Sequence, residues 1–322
     1  MMNRRTLLVG AALAPLAAGR TRAQANWPDR AIRIIVPFAA GSFTDVAARL
    51  LATELTEQLG QPVVVENRGG GGSTTGTQAV ARAEADGYTL LLSDVALSIS
   101  PAIYPKLPYD PLRDLAFISR IADSPALLMV RPGLGVRTLA ELVALGKQKP
   151  GELTFGSGGP GSSAHMAMEL FLDTAGIKAL HVPFRGIAAA IGEMVGGRVD
   201  MAIGSLSSGL SQVQGGTLLG LAITGARSPL LPDVPTFAEA GQPRFNVPYW
   251  FALAAPAATP APIIARLNRE VVRACAQPRL REAFEKQAAI AVTSTPAEMT
   301  QHVAREIEIW RGVVTRANIT IQ

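Results

Sequence analysis

The residues best placed to do chemistry lie in Leu153–Phe171, LTFGSGGPGSSAHMAMELF. There Ser157, Gly158, Gly159, Ser162 and Ser163 fill a turn between a short apolar run and a helical pattern. Glycines bring the backbone close to an occupant. Unpaired N–H groups at the start of the next helix then face that occupant with partial positive charge, which favours an anion. The same residues also suit an ordinary strand-to-helix connection that needs only flexibility. A serine nucleophile is a third use. However, Gly156-Ser157-Gly158 is not the GxSxG elbow, and a triad needs a placed histidine and acid. Hydroxyls donating to a carboxylate are the simpler role.

The elements that must hold this turn are legible around it. Ala164, Ala167, Met168, Phe171, Leu172 and Ala175 recur at three- and four-residue spacing, one apolar stripe. Ser162 or Ser163 stands where an N-cap belongs and Gly176 where a C-cap belongs. A second turn of this kind comes earlier, at Phe38, Ala39, Ala40, Gly41, Ser42, Phe43 and Thr44. It joins a buried strand, Ile32–Pro37, to a helix over Asp45–Leu59. Ser42 with Asp45 resembles a capping box with Asp in place of Glu, so Asp45 caps locally or reaches a ligand. Phe43, inside the turn, is a candidate apolar wall.

Strand and helix patterns alternate along the rest of the chain. Strands are expected at Gln61–Glu66, Tyr88–Leu92, Phe117–Ile121, Ala126–Val130, His181–Pro183, Asp200–Ile203, Leu218–Thr224 and Tyr249–Ala254. Helices are expected at Thr77–Ala85, Thr138–Lys147, Ile187–Val195 and Ile263–Ala276, with a last helix capped by Thr295. This order predicts an α/β fold with a largely parallel sheet. Pro101, Pro105, Pro108 and Pro111 exclude one long helix in their stretch. The glycine-rich loop Asn67–Gly76 lacks the ending of a phosphate-binding P-loop and gives no dinucleotide fingerprint in register, so it reads as flexible or closely packed. His165, His181 and His302 make no metal-ligand spacing. Arg185 could fork onto a carboxylate or form a surface ion pair, and Trp250 reads as packing.

A chain of 322 residues suggests two domains. Arg4, Arg5, Arg20 and Arg22 precede Asn26 with no acid among them. Removing them from the formal net charge of +5 leaves +1, so a nucleic-acid partner is not expected. Residues 1–25 read as a cleaved export signal: paired arginines, the apolar segment Thr6–Gly19, and the small-x-small site Ala23-Gln24-Ala25. The pair is compatible with the twin-arginine route, and general secretion stays open. Cys275 is the only cysteine, which excludes an internal disulfide and a cysteine zinc cluster.

Several separate stretches agree with one family. They include VPFAAGSFTDVAARLLA at Val36, VVENRGGGGSTTG at Val63, DGYTLLL at Asp86, LPYDPLRDLAFISRIA at Leu107 and the Leu153 stretch. They continue with HVPFRG at His181, GGRVDMAI at Gly196, RSPLLPDVPTFAEAG at Arg227 and WFALAAPAATPAPIIARLNREV at Trp250. In these the chain resembles the extracytoplasmic solute receptors of tripartite tricarboxylate transporters, the Bug receptors. The resemblance implies a two-lobed periplasmic binding protein fold, type II-like, with a ligand cleft between lobes. Lobe one would be residues 26–124 plus 248–322 and lobe two residues 125–247, with crossings near Ser124 and Val247. It implies a monomeric, non-enzymatic receptor without cofactor or metal that delivers a small organic carboxylate to membrane permease subunits. The family's ligand loops fall on Phe38–Asp45 and Gly156–Ser163, and a further contact loop on Gly204 and Ser205.

Two departures bear on the ligand. Ser42 stands where the family's first loop commonly has its second glycine, and Phe43 follows it, which narrows the cleft, adds an apolar face and favours an aromatic or branched acid. Gly204-Ser205 stands where the family often carries an acid, which disfavours an amino acid. Two other readings share these residues: an exported esterase or transferase using Ser157 or Ser162, and a sensor that signals to a membrane protein.

Overall fold

The computed structural model describes residues 27–247, 249–316 and 319. The export signal, the processed start at Asn26 and Pro248 lie outside these residues. Eleven strands are described: β1 (Ile32–Val36), β2 (Val63–Asn67), β3 (Thr89–Asp94), β4 (Leu115–Ser124), β5 (Ala126–Val130), β6 (Leu153–Ser157), β7 (Ala179–Pro183), β8 (Met201–Ser205), β9 (Leu219–Ile223), β10 (Tyr249–Pro256) and β11 (Ile290–Ala291). They form a six-stranded sheet, order β11-β4-β10-β3-β1-β2, and a five-stranded sheet, order β7-β6-β8-β5-β9. Each sheet is the spine of one lobe.

Both sheets are mixed, which corrects the largely parallel expectation. β1 runs parallel to β2 and β3, and β6 parallel to β7 and β8. β10 is antiparallel to β3 and β4, and β5 is antiparallel to β8 and β9. The reason is the route of the chain. Only Pro125 separates β4 from β5, so one extended run leaves the first sheet and enters the second. β10 makes the return. These through-running strands enter against the direction of the strand–helix units. Runs such as IRIIV and ALLMV are apolar at nearly every position because helices cover both faces.

Ten helices are described: α1 (Phe43–Leu59), α2 (Thr74–Ala81), α3 (Ala96–Ile103), α4 (Leu139–Gln148), α5 (Ser163–Ala175), α6 (Ile187–Val195), α7 (Leu206–Gln214), α8 (Ala261–Cys275), α9 (Pro278–Glu285) and α10 (Pro296–Arg316). Three were not expected from sequence. α3 contains Pro101, and α9 starts on Pro278, where the missing N–H costs nothing. α7 is serine-rich and buries only Leu206, Gly209 and Leu210. In α10, Met299, Val303, Ile307, Trp310 and Val313 make the buried stripe that packs on α3 and β4.

The start of α1 is anchored in the core of the first lobe. Phe43 is buried, its ring centroid 4.7 Å from Phe251 and 5.9 Å from Phe284, both edge-on. Phe284 on α9 is fully buried and completes this cluster. Trp250 is likewise fully buried, edge-on to His302. Replacing Phe284 with alanine removes a large ring from a packed site. We expect Phe284→Ala to lower unfolding free energy by about 3–5 kcal/mol in a denaturant titration, with an unchanged m-value.

Candidate ligand-binding cleft

Five strands end on the same crevice, and a helix starts there after each. The connections are β1–α1, β3–α3, β6–α5, β7–α6 and β8–α7. In open α/β sheets the crevice beyond the carboxyl ends of the strands is where ligands collect. Here two connections come from the first lobe and three from the second. Residues of all five line one narrow cavity: Phe38, Ser42, Phe43 and Thr44; Asp94; Gly158, Ser162, Ser163 and Ala164; Ile187; and Gly204, Ser205 and Ser208. Tyr249 and Phe251 of β10 close it. It leaves about 30 Å³ to the centres of water-sized molecules, room for roughly two waters. The lobes are closed on one another.

Each helix begins with orphan backbone donors. Ser42 Oγ accepts from the Asp45 N–H at 3.3 Å, and Ser162 Oγ accepts from the His165 N–H at 3.3 Å. These are the caps expected for α1 and α5. The Gly186 and Ser205 side positions cap nothing on α6 and α7. Among the described residues lining the cavity there is no Lys, Arg or His. What it offers an anion is therefore hydroxyls and helix ends, each end worth roughly 0.3–1 kcal/mol to a nearby anion at the surface and more where partly buried.

Four residues proposed from sequence do not line the cavity: Gly41, Asp45, Ser157 and Gly159. Asp45 is saturated locally. It accepts from the Gly41 N–H at 3.2 Å and from Asn67 Nδ2 at 3.0 Å, and it pairs with Arg49 at 2.9 Å. Burial pushes its pKa up, but the Arg49, Gly41 and Asn67 contacts outweigh this and hold it below the usual range. Phe43 touches the cavity, but its ring is committed to the core cluster of the first lobe. Arg185 is exposed and outside the cavity.

Ser157 supports the second turn from behind. Its fully buried Oγ accepts from the Gly159 N–H at 3.0 Å and lies 2.6 Å from His181 Nε2. Among the described residues no carboxylate hydrogen-bonds His181, so a triad is incomplete there. His165 stacks on His181 at 4.0 Å, and its Nδ1 accepts from the Gly161 N–H at 3.1 Å. The two imidazoles thus fix the turn from Ser157 to Gly161. Burial, then the neighbouring His165, lowers the His181 pKa to about 4.

The glycine-rich loop is a contact between lobes. A Cβ on Gly72 would stand 2.1 Å from the Pro160 carbonyl oxygen. Tyr104 Oη donates to that same oxygen at 2.7 Å. Ser163 Oγ also crosses the cleft, donating to Asp94 Oδ2 at 2.8 Å.

Asp94 and Tyr249 were missed by sequence reading. Asp94 ends the buried strand TLLLSD and caps α3 by accepting the Ala96 N–H at 2.9 Å. Its position matched the other strand ends, and that was the available signal. Burial pushes its pKa up to about 6. The cleft therefore does contain an acid, on β3, although Gly204-Ser205 lacks one. A larger open groove, about 840 Å³, runs beside Ser124-Pro125 and is bordered by Glu282, Glu285 and Lys286 of the α9 region. No strand–helix turn of the five opens onto it.

Comparison with known proteins agrees with this architecture. Residues 47–319 match the family model described as tripartite tricarboxylate transporter family receptor. Protein BugT of Bordetella pertussis is 39% identical over 316 residues, covering 97% of each chain. The structure of periplasmic binding protein BugD has a TM-score of 0.88 at 30% identity, covering 92% of this chain and all of that one. MatC from Rhodopseudomonas palustris, with bound malate, has a TM-score of 0.86 at 33% identity, covering 89% of this chain and all of that one. Two sheets joined by through-running strands, a cleft at their strand ends and a match along most of the sequence lead to one conclusion: the chain belongs to the tripartite tricarboxylate transporter receptor family.

Proposed function

We propose that this protein is a periplasmic receptor that captures a small organic carboxylate between its lobes and presents it to membrane permease subunits of a tripartite transporter. The observation that carries this reading is the convergence of five helix starts on one cavity whose lining has no cationic side chain. Oriented N–H groups and serine hydroxyls suit a carboxylate, and they cost no reorganisation when it arrives. MatC, a relative with bound malate, supports the ligand class.

The lobes are residues 26–124 with 248–322 and residues 125–247, and the crossings at Pro125 and beside Val247 act as the hinge. Each lobe contributes strand–helix turns, so a ligand that touches both binds the closed form better and shifts the opening equilibrium toward it. The ligand contacts are Ser42, Thr44, Gly158, Ser162, Ser163, Gly204 and Ser205, with Phe38 and Phe43 as apolar walls. Gly41, Asp45, Ser157 and Gly159 act indirectly, by shaping the two turns. The receptor works as a monomer, without cofactor and without turnover. Its export signal suits the periplasm, by the twin-arginine or the general route. The buried and locally bonded Ser157 oxygen argues against an esterase.

A calorimetric titration of the purified mature protein with small carboxylates tests the reading. Saturable binding of at least one acid is expected, and a protein that instead hydrolyses esters would contradict it. Gly72→Ala puts a methyl group against Pro160 across the cleft and strains only one left-handed position, about 1–2 kcal/mol. The variant is expected to keep its circular dichroism spectrum and to bind the same acid at least tenfold more weakly.

Acidity gives a further expectation. The unfolded His181 takes up its proton near pH 6.5 and the folded one near 4. Between these values the unfolded chain binds more protons, so stability is full above pH 6.5 and falls as pH drops toward 4. The loss from this residue is up to about 3 kcal/mol. Burial lowers the His302 pKa to about 4 as well and adds a loss of the same sign, so His181→Gln is expected to reduce the fall in melting temperature across that window without removing it.

A further inference from the structure

We propose that the cleft selects a hydroxy acid: Tyr249 donates a hydrogen bond to the ligand's hydroxyl oxygen, and Asp94 accepts that hydroxyl's proton in a second one. This rests on the carboxylate reading above and narrows it to a substrate class.

Asp94 lines the cavity and is 4% exposed. Its Oδ2 accepts from Ser163 of the opposite lobe and its Oδ1 from the Ala96 N–H. Each carboxylate oxygen has a second lone pair to offer. No cation lines the cavity to take them. Burial has pushed its pKa up to about 6, so at neutral pH it remains mostly an acceptor. Tyr249 lines the same cavity and is 3% exposed. Its hydroxyl makes no hydrogen bond of good distance and angle among the described residues, and its nearest polar neighbour is Ser163, whose own hydrogen already goes to Asp94. Burial, then the nearby Asp94, raises its pKa, so it keeps its proton and is a donor. A buried phenol without a partner is costly unless something in the cavity receives it.

The wall thus presents one acceptor with lone pairs to spare and one donor without an acceptor of good geometry. A methylene satisfies neither group. A second carboxylate could receive the Tyr249 proton but would face the Asp94 carboxylate. An ammonium would donate to Asp94 but has no lone pair for Tyr249. A hydroxyl does both at once. Its own carboxylate lies toward the helix starts of the two serine turns, where Ser42 and Ser162 cap α1 and α5.

The test is a calorimetric titration at pH 7.5 with matched acids: lactate, propionate and alanine; malate, succinate and aspartate; citrate and tricarballylate; mandelate and phenylacetate. In any set with a binder, the hydroxy acid is expected to bind at least about tenfold more tightly than its deoxy and amino partners, because a site built for a hydroxyl rejects its absence. Tyr249→Phe is expected to remove most of that preference and to leave the deoxy acid unchanged. Asp94→Asn is expected to remove it as well. If Asp94→Asn fails to fold, Tyr249→Phe still decides. A deoxy or amino acid that binds as well as the hydroxy acid overturns the inference and leaves the carboxylate receptor standing. So does a Tyr249→Phe variant that weakens both partners equally. If no acid of any set binds, the carboxylate reading itself fails, and this inference fails with it.

Discussion

A helix cannot hydrogen-bond its own first N–H groups, and this constraint organises the protein. Every parallel strand–helix unit at the cleft leaves such donors at the strand's carboxyl end. Folding β1, β3, β6, β7 and β8 in two facing sheets points those ends at one another. The result is a set of oriented backbone donors facing one cavity without a positive side chain. For a receptor that must release its ligand this has a physical merit. Several ends, each worth about 0.3–1 kcal/mol, give graded attraction divided between two bodies. Opening the lobes separates the contributions, whereas a buried guanidinium in one lobe would hold the anion after opening.

The same arrangement explains the small residues at the mouth. Gly72, Pro160, Gly161 and Tyr104 meet across the lobes at hydrogen-bond and van der Waals distance. Glycine at position 72 keeps the two backbones close and holds a left-handed conformation, φ 60°. Behind the second turn, Ser157, His165 and His181 replace flexibility with fixed geometry. The turn, loose in composition, is held by the buried Ser157 and His165 and the half-buried His181, none of which lines the cavity.

What could be read from sequence was what local chemistry decides. Ser42 and Ser162 are caps because their neighbours are helical, and the apolar runs are strands because both faces are covered. The two serine turns were therefore visible as a pair. Properties decided by distant partners were not visible. Phe43 reads as part of a turn, yet it opens α1 and its ring is directed by Phe251 and by Phe284 on α9, far along the chain. Asp45 suits a local cap or a ligand by sequence alone, and Arg49, Gly41 and Asn67 around it decide for the local role. Mixed sheets follow from the crossing at Pro125, which strand propensity does not encode. Asp94 and Tyr249 become neighbours only when β10 returns to the first sheet beside β3. The resemblance to a receptor family named the lobes and the ligand class, and turn chemistry alone did not.

The central claim is that backbone N–H groups at helix starts hold the ligand's carboxylate. The most direct measurement is a nitrogen–proton NMR titration of the labelled mature protein with a carboxylate that it binds. The account predicts that the amide protons of Thr44, Ser163 and Ala164 move downfield together and saturate with the ligand. Shifts centred instead on the groove around Thr224–Leu230 and Glu282–Ile290, with those three amides unmoved, would contradict it.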